Sequence, residues 1–226
     1  MTITLSAVAT PRTGSSSTPA FAAPAGVGST SIIAITFFID GATTISALPS
    51  GFLHARGSPI YNNVNSHSLN VLWARNPVGG TYTPTLSGNA YSEGCAFRYE
   101  GCVTSGDPWD TNTGTGAAAA ADPLAGTVTP SVSITTQAAN EMGIHVVTDW
   151  SGGSWYATSG GFTKEHPTAG MVGLVSMFDK LFGAAGGSGS VTATCTGNDK
   201  RTAWLGALIP AGAAAGPPPN GFFSFF

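Results

Sequence analysis

Apolar residues recur with period two in one segment after another. Within Thr81–Asp110, Cys95, Phe97 and Tyr99 fall on one side of an extended segment, and Ala96, Arg98 and Glu100 fall on the other. That alternation is the mark of a half-buried strand. Gly106, Asp107 and Pro108 follow it and predict a turn. Ser68–Arg75 sets Leu69, Val71 and Trp73 on one face. Thr127–Thr136 alternates Val128, Val132 and Ile134 inward with Thr129, Ser131, Ser133 and Thr135 outward. Glu141–Thr148 sets Met142, Ile144 and Val146 on one face and His145 on its polar side. Ile32–Ile39 is apolar on both faces, as a central strand is. Asp40-Gly41 predicts a two-residue hairpin into Ala42–Leu48. Thr81–Leu86, Val191–Cys195 and Thr202–Ile209 complete the strands.

One window is ambiguous. Leu174, Met177, Phe178 and Leu181 have helical spacing between Gly173 and Gly183, and a short helix and a strand both fit. Thr113–Gly126, rich in Gly and Ala, reads as a loop. No internal repeat and no βαβ alternation is visible. About nine or ten short strands between Gly/Pro turns predict an all-β fold, an antiparallel β-sandwich of jelly-roll-like form with extended arms at both ends. Residues 1–30 form a Pro/Ser/Ala-rich arm with one short candidate strand, 31–210 the sandwich, and 211–226 a Pro/Gly linker and Phe-rich tail. GFFSFF at 221–226 is an aggregation hazard unless it docks, on its own sandwich or on a neighbour. Phe222, Phe223, Phe225 and Phe226 are therefore candidate assembly contacts.

Composition narrows the function classes. Charged residues are 8% of 226, against about 25% in typical soluble domains. The formal net charge is −3, and only Lys200 and Arg201 are adjacent basic residues. Phosphate recognition needs clustered Lys and Arg, so nucleic acid is not an expected partner. The N-terminus lacks the pattern of a secretory signal, and the longest apolar run is too short to span a bilayer. Cys95, Cys102 and Cys195 read as small buried hydrophobes, with a Cys95–Cys102 bridge as the alternative.

Candidate chemistry is sparse. His54, His67, His145 and His166 have no metal-ligand spacing, and no nucleophile elbow or phosphate loop occurs. Glu93 and Glu100 are the one carboxylate pair to weigh as a glycosidase couple. Asp107, Asp110 and Asn112 form a weak calcium-like cluster that reads better as Asx turns. No catalytic residue, metal or cofactor is assigned. The leading binding candidate is Thr148–Gly161, where Trp150, Trp155 and Tyr156 lie in a Ser/Gly-rich stretch read as an exposed loop, suited to stacking on sugar rings. The alternative is that these rings cap the core.

The succession IIAITFFI, LNVLWARN, GTYTPTLSG, AFRYEGC with GDPWD, VSITT, EMGIHVV and VTATCTG…TAWLGALI resembles small all-β virion proteins of tailed bacteriophages. It is most similar to minor tail proteins of phages that infect actinobacteria, over roughly residues 30–210, with Arg98-Tyr99-Glu100-Gly101 and its Pro-containing turn as the most specific part. The resemblance implies a jelly-roll or concanavalin-like sandwich, a structural or adhesive role and no catalytic residues. Expected partners are other virion proteins and copies of the chain itself, with host-surface glycan as a further candidate. The expected location is the virion, at the tail in preference to the head. Head decoration and a carbohydrate-binding adhesin are the alternative readings.

Overall fold

The computed structural model of the chain describes residues 1–62, 67–110, 117–150, 155–166 and 174–213. Among the described residues every regular element is a strand. The first half supplies β1 (Thr4–Val8), β2 (Arg12–Ser16), β3 (Phe21–Ala22), β4 (Ile32–Ile39), β5 (Ile45–Ala47) and β6 (Leu53–His54). It continues with β7 (Ile60–Asn62), β8 (His67–Arg75), β9 (Thr81–Tyr82), β10 (Thr85–Leu86) and β11 (Ala90–Glu100). The second half supplies β12 (Ala117–Val128), β13 (Thr135–Thr136), β14 (Glu141–Asp149) and β15 (Trp155–Thr158). After these come β16 (Thr163–His166), β17 (Val175–Phe182), β18 (Gly186–Gly187) and β19 (Ala193–Leu208).

Two antiparallel sheets face each other. One runs β1-β11-β4-β8-β6, with β2 also on β11 and β7 also on β8; the other runs β12-β19-β14-β17-β16, with β15 also on β19. Tyr99 of β11 reaches Met177 and Asp179 of β17, and Phe38 of β4 meets Trp150 just past β14. This is the all-β sandwich that the alternation predicts. Its strands are not dealt alternately to the two sheets: residues 4–100 make one sheet and 117–208 the other.

Register sets what each face buries. Thr36 lies beside Cys95, and Phe38 beside Glu93 and Leu69, all on the face toward the second sheet. Phe37 is on the opposite face, and that face is covered too. Phe21 rests on Phe37 with ring centroids 4.9 Å apart, and Phe52 meets Tyr82 at 4.9 Å. The outer face of the second sheet carries Val147, Phe178, Ala203 and Leu205 under Val132, Ile134, Phe162 and Val191. Both sheets are thus covered on both sides. β4 and β14 are buried at every residue, which accounts for the two-sided apolar run at Ile32–Ile39. Each fully buried Ile, Phe or Leu is worth about 1.5–3 kcal/mol.

Several local expectations change. His145 is not on a polar face; it is fully buried in this outer core between Phe162 and Phe178, at 5.9 and 6.0 Å. The 174–182 window is strand β17, paired with β14 and β16 and apolar on both faces, which imitates helical spacing. Thr113–Gly126 reads as a loop, yet β12 runs from Ala117 to Val128, because the long β19 offers it a partner edge; alanine alone gives little β signal. Thr127–Thr136 is not one strand. Pro130 has no N–H to give a ladder, and the segment divides into the end of β12, an isolated Val132–Val191 bridge and β13. There Val128 is 46% exposed and Thr129 is buried, the reverse of the simple alternation. Asp40-Gly41 makes no hairpin: both edges of β4 are occupied by β11 and β8, and β5 pairs with β10 instead. The first thirty residues lie docked along their own sandwich, β1 and β2 on β11 and β3 on β9.

The two halves share a connectivity, although no repeat was visible in the sequence. In each, the first long strand pairs with the last, the last with the second, and the second with the third. That order is β1/β2-β11-β4-β8 in one half and β12-β19-β14-β17 in the other. In each, a short strand between the second and third adds to the third, β6 on β8 and β16 on β17. In each, a short strand before the second pairs with one before the last, β3 with β9 and β13 with β18. Faint sequence echoes mark equivalent points. Thr18-Pro19-Ala20-Phe21 answers Thr129-Pro130-Ser131-Val132. Gly51-Phe52 answers Gly161-Phe162, with both glycines left-handed (φ 78° and 74°) and both phenylalanines buried. The β5–β10 pair and the β15–β19 pairing are particular to one half each.

The connection between halves is pinned to the end of β19. Cys102 bridges Pro210, Trp109 bridges Leu208, and the fully buried Trp109 ring meets Trp204 edge-on at 5.2 Å.

Two outcomes follow. A Cβ at Gly94 would overlap Phe37 Cβ and the Thr36 carbonyl. Gly94→Ala is expected to cost about 1–3 kcal/mol, read by urea unfolding, with Gly88→Ala, which meets open space, as the unaffected control. Each half alone leaves one sheet face bare, so fragments 1–110 and 111–226 are expected to aggregate singly and to co-purify when co-expressed with a tag on one.

Candidate functional site

Buried polar groups gather in three places. The first is the seam between β11 and β17. β11 turns Glu93 and Tyr99 toward the second sheet, and β17 turns Asp179 toward the first. Tyr99 Oη donates to Asp179 Oδ2 at 3.4 Å and lies 3.7 Å from Met177 Sδ. Burial pushes the Asp179 carboxyl up to about 7, with the neighbouring Glu165 charge adding to the effect. Farther along the seam Glu93 is 1% exposed. Burial pushes it up to about 7 as well, against the pull of the Val175 and Leu174 amides and the Tyr91 hydroxyl. Tyr91 Oη donates to Glu93 Oε2 at 3.5 Å.

The second place is the opposite seam, where β8 begins. The His67 ring stacks on Phe38 at 5.3 Å, and its Nε2 lies 3.4 Å from Thr148 Oγ1, which is 2.6 Å from Thr202 Oγ1. Burial pushes His67 down to about 4, so the imidazole is neutral at physiological pH. On the outer side of the same corner Cys195 Sγ donates to Asp149 Oδ2 at 3.4 Å, and burial holds that thiol up at about 12.

The third place lies beyond Trp109. Asp110 Oδ2 accepts from the Gln137 amide at 2.8 Å, and Glu141 Oε1 accepts from the Gln137 and Ala138 amides at 3.0 and 2.7 Å. Both carboxyls are buried. Desolvation first, and the Asp110 charge next, push Glu141 up to about 7. His145 is carried down to about 3 by burial alone.

These groups are enclosed. Glu93, Tyr99, Glu141 and His145 expose 1% or less, and Asp179 exposes 8%. No three His, Cys, Asp or Glu side chains converge among the described residues in a way that suits a metal ion. Asp107 accepts from the Trp109 amide at 3.1 Å and pairs with Arg56 at 3.2 Å, the behaviour of a turn residue; Asn112 lies outside the described residues. Glu93 and Glu100 sit seven residues apart on one strand, about 23 Å along it and on opposite faces. That separation is too great for two carboxyls to flank one glycosidic bond. Glu100 is taken up by Ser31, Thr30 and Arg98. The three cysteines are free and buried, so Cys95 and Cys102 do not bridge; Cys95 Sγ donates to the Ala9 carbonyl at 3.0 Å.

The aromatic candidates separate. Trp150 is half-buried and packs inward on Phe38 and His67, at 5.9 and 6.0 Å. Trp155 and Tyr156 belong to strand β15, where Trp155 pairs with Cys195, and not to a loop. Their side chains lie outside the described residues, as do Phe222, Phe223, Phe225 and Phe226 in their entirety. Sequence reasoning named Glu93 for the wrong chemistry and missed Asp179 and Glu141. The one available signal was an acid set in an apolar strand, at VSMFDKLF and EMGIHVV.

No helix among the described residues is long and apolar enough to cross a membrane. No protein-family model, curated protein or solved structure matches the chain.

The shifted groups set a pH dependence. Glu93, Glu141 and Asp179 keep their protons to about 7 when folded but release them near 4–4.5 when unfolded. Their contribution is complete below the unfolded values and is lost as pH rises through 7. His67 and His145 act oppositely, but only below about 6.5, where the unfolded chain takes up protons. Between pH 6.5 and 8 the three carboxyls outweigh the fading histidine contribution, so Tm is expected to fall across that window. Each kcal/mol shifts Tm by about 2–4 °C in a domain of this size. Calorimetry should show the slope reduced in Glu93→Gln and Asp179→Asn, which keep the shape without the titration.

Proposed function

We propose that this protein is a structural virion component of a tailed bacteriophage, a minor tail protein engaged in tail assembly or host attachment. The observation that carries the reading is the enclosure, among the described residues, of the acids, histidines and thiols that burial shifts most. His67, His145, Glu93, Glu141, Asp179 and the three thiols are buried, and most are tied to partners inside the protein's own body. Acid–base or nucleophilic catalysis requires such a group within hydrogen-bond reach of a substrate, and these groups face other parts of the sandwich.

Two further features support a non-enzymatic building block. The body has two sheets, each covered on both faces, so it is thick and closely packed. Its charge content of 8% limits repulsion between copies set side by side. The strand succession that resembles phage minor tail proteins supplies the setting. Fold alone does not assign function, so the test is one of location.

Gold-labelled antibody against the purified chain, imaged on phage particles by electron microscopy, is expected to mark the tail. Label spread over the head would replace the tail assignment with head decoration. Particles without label would overturn the virion reading and put the adhesin, through Trp155 and Tyr156, in its place.

A further inference from the structure

β16 borders the seam at Tyr99. It has four residues, Thr163-Lys164-Glu165-His166, and among the described residues its ladder partner is β17 alone. Thr163 stands opposite Asp179 and Lys164 opposite Phe178; the register then shifts, and His166 stands opposite Met177. Glu165 is the extra residue at that irregularity, and period two sets it on the face of Thr163 and Asp179, toward the first sheet. Its carboxyl hydrogen-bonds to Asp179, whose Oδ2 accepts from Tyr99 Oη at 3.4 Å. Tyr99 and Asp179 are buried, and Glu165 is partly exposed. The three side chains form a line from the closed seam to solvent.

Two carboxyls in hydrogen-bond contact share a proton, because two carboxylates at that range repel each other. Among the described residues no basic side chain contributes at either carboxyl. On β16, Lys164 lies beside Phe178 on the outer face; the side chain of His166 lies outside the described residues. On β17, Lys180 turns outward to the Phe162 and Phe182 rings. β14 sets Ile144 beside Asp179 and turns His145 outward. β1 carries no charge. On the side of the first sheet Tyr99 and Cys102 keep their protons, and Arg98 and Glu100 pair with each other on the far face.

We infer that Glu165 and Asp179 form a proton-closed latch that holds β16 on β17 in acid and releases it as pH rises. Tyr99 donates to Asp179 in either charge state, so an ionised Asp179 stays in the seam. Glu165, already at the surface, is the member displaced toward water, and it carries a short edge strand with it. Movement begins after Phe162, which is held in the outer core against His145 and Phe182 while Lys180 donates to the Gly160 carbonyl at 2.5 Å. The open pair gives up both protons near 4–4.5, whereas the closed pair keeps one to about 7. Closure is therefore complete below the open values and weakens as pH rises toward 7. The latch is a property of the chain itself and does not depend on the virion reading.

The test is hydrogen–deuterium exchange of the full chain from pH 5 to 8, read by mass spectrometry and corrected for the intrinsic effect of pH on exchange. Protection at residues 163–166 is expected to fall by up to about tenfold per pH unit and to level off above about 7. It should lie below that of β4 throughout, as it does when a segment opens by itself. In Glu165→Gln the new amide donates to the Asp179 carboxylate, and in Asp179→Asn to the Glu165 carboxylate, so each variant closes the latch without a proton. Both are expected to lose the fall at 163–166. Glu165→Gln, at the partly exposed position, carries the test should Asp179→Asn fail to fold. Protection at 163–166 that does not change with pH in the unaltered chain would overturn the inference. So would protection equal to that of β4 at every pH, or a fall that persists in Glu165→Gln.

Discussion

No position between two sheets that are each covered on both faces can hold an ionised side chain cheaply. Moving a charge from water into such a place costs several kcal/mol even after relaxation. The protein meets this constraint by having few charges and by neutralising several of those that fall inside. Glu93, Glu141 and Asp179 keep their protons to about 7, His67 and His145 stay unprotonated, and the thiols of Cys95, Cys102 and Cys195 stay protonated. The sheets are joined by these neutral contacts, Tyr99 to Asp179 at one seam and His67 to Thr148 at the other.

The covering also explains the division of the chain. A single sheet with one covered face cannot stand alone, because its other face is a bare apolar surface. Two halves with one connectivity solve the problem by facing each other. The segment from Gly101 to Asp110 holds them in place through Trp109, which lies against Trp204 of the second half, while Trp204 Nε1 donates to the Arg56 carbonyl of the first at 2.7 Å. The outer covers come from the short strands and loops of each half, so each half protects its own outside and its partner's inside.

Much of this was legible where the residue pattern is strong. Ile32–Ile39 announced a strand buried on both faces, and Cys95, Phe97 and Tyr99 announced a strand with one face inward. The pattern misled where a second apolar layer erased the alternation. His145 looked outward because its neighbours on that face are not visible along the chain, and β17 imitated a helix for the same reason. β12 was invisible because alanines carry little strand preference, and only the waiting edge of β19 made a strand of them. The common connectivity of the halves left only scattered echoes such as Gly51-Phe52 and Gly161-Phe162. Packing requires volume and polarity at a position and not a particular residue.

The sequence by itself determined the fold class, the positions of the central strands and the scarcity of charge. These rest on local alternation and composition, which need no knowledge of distant neighbours. The tertiary structure decided which strands pair, that each sheet is drawn from one half, that both outer faces are covered, and which acids lose their charge. Those properties depend on groups far apart in the chain, such as Tyr99 with Asp179 and Asp110 with Glu141. Desolvation acts through the whole surroundings of a group, and those surroundings exist only once the chain has closed on itself.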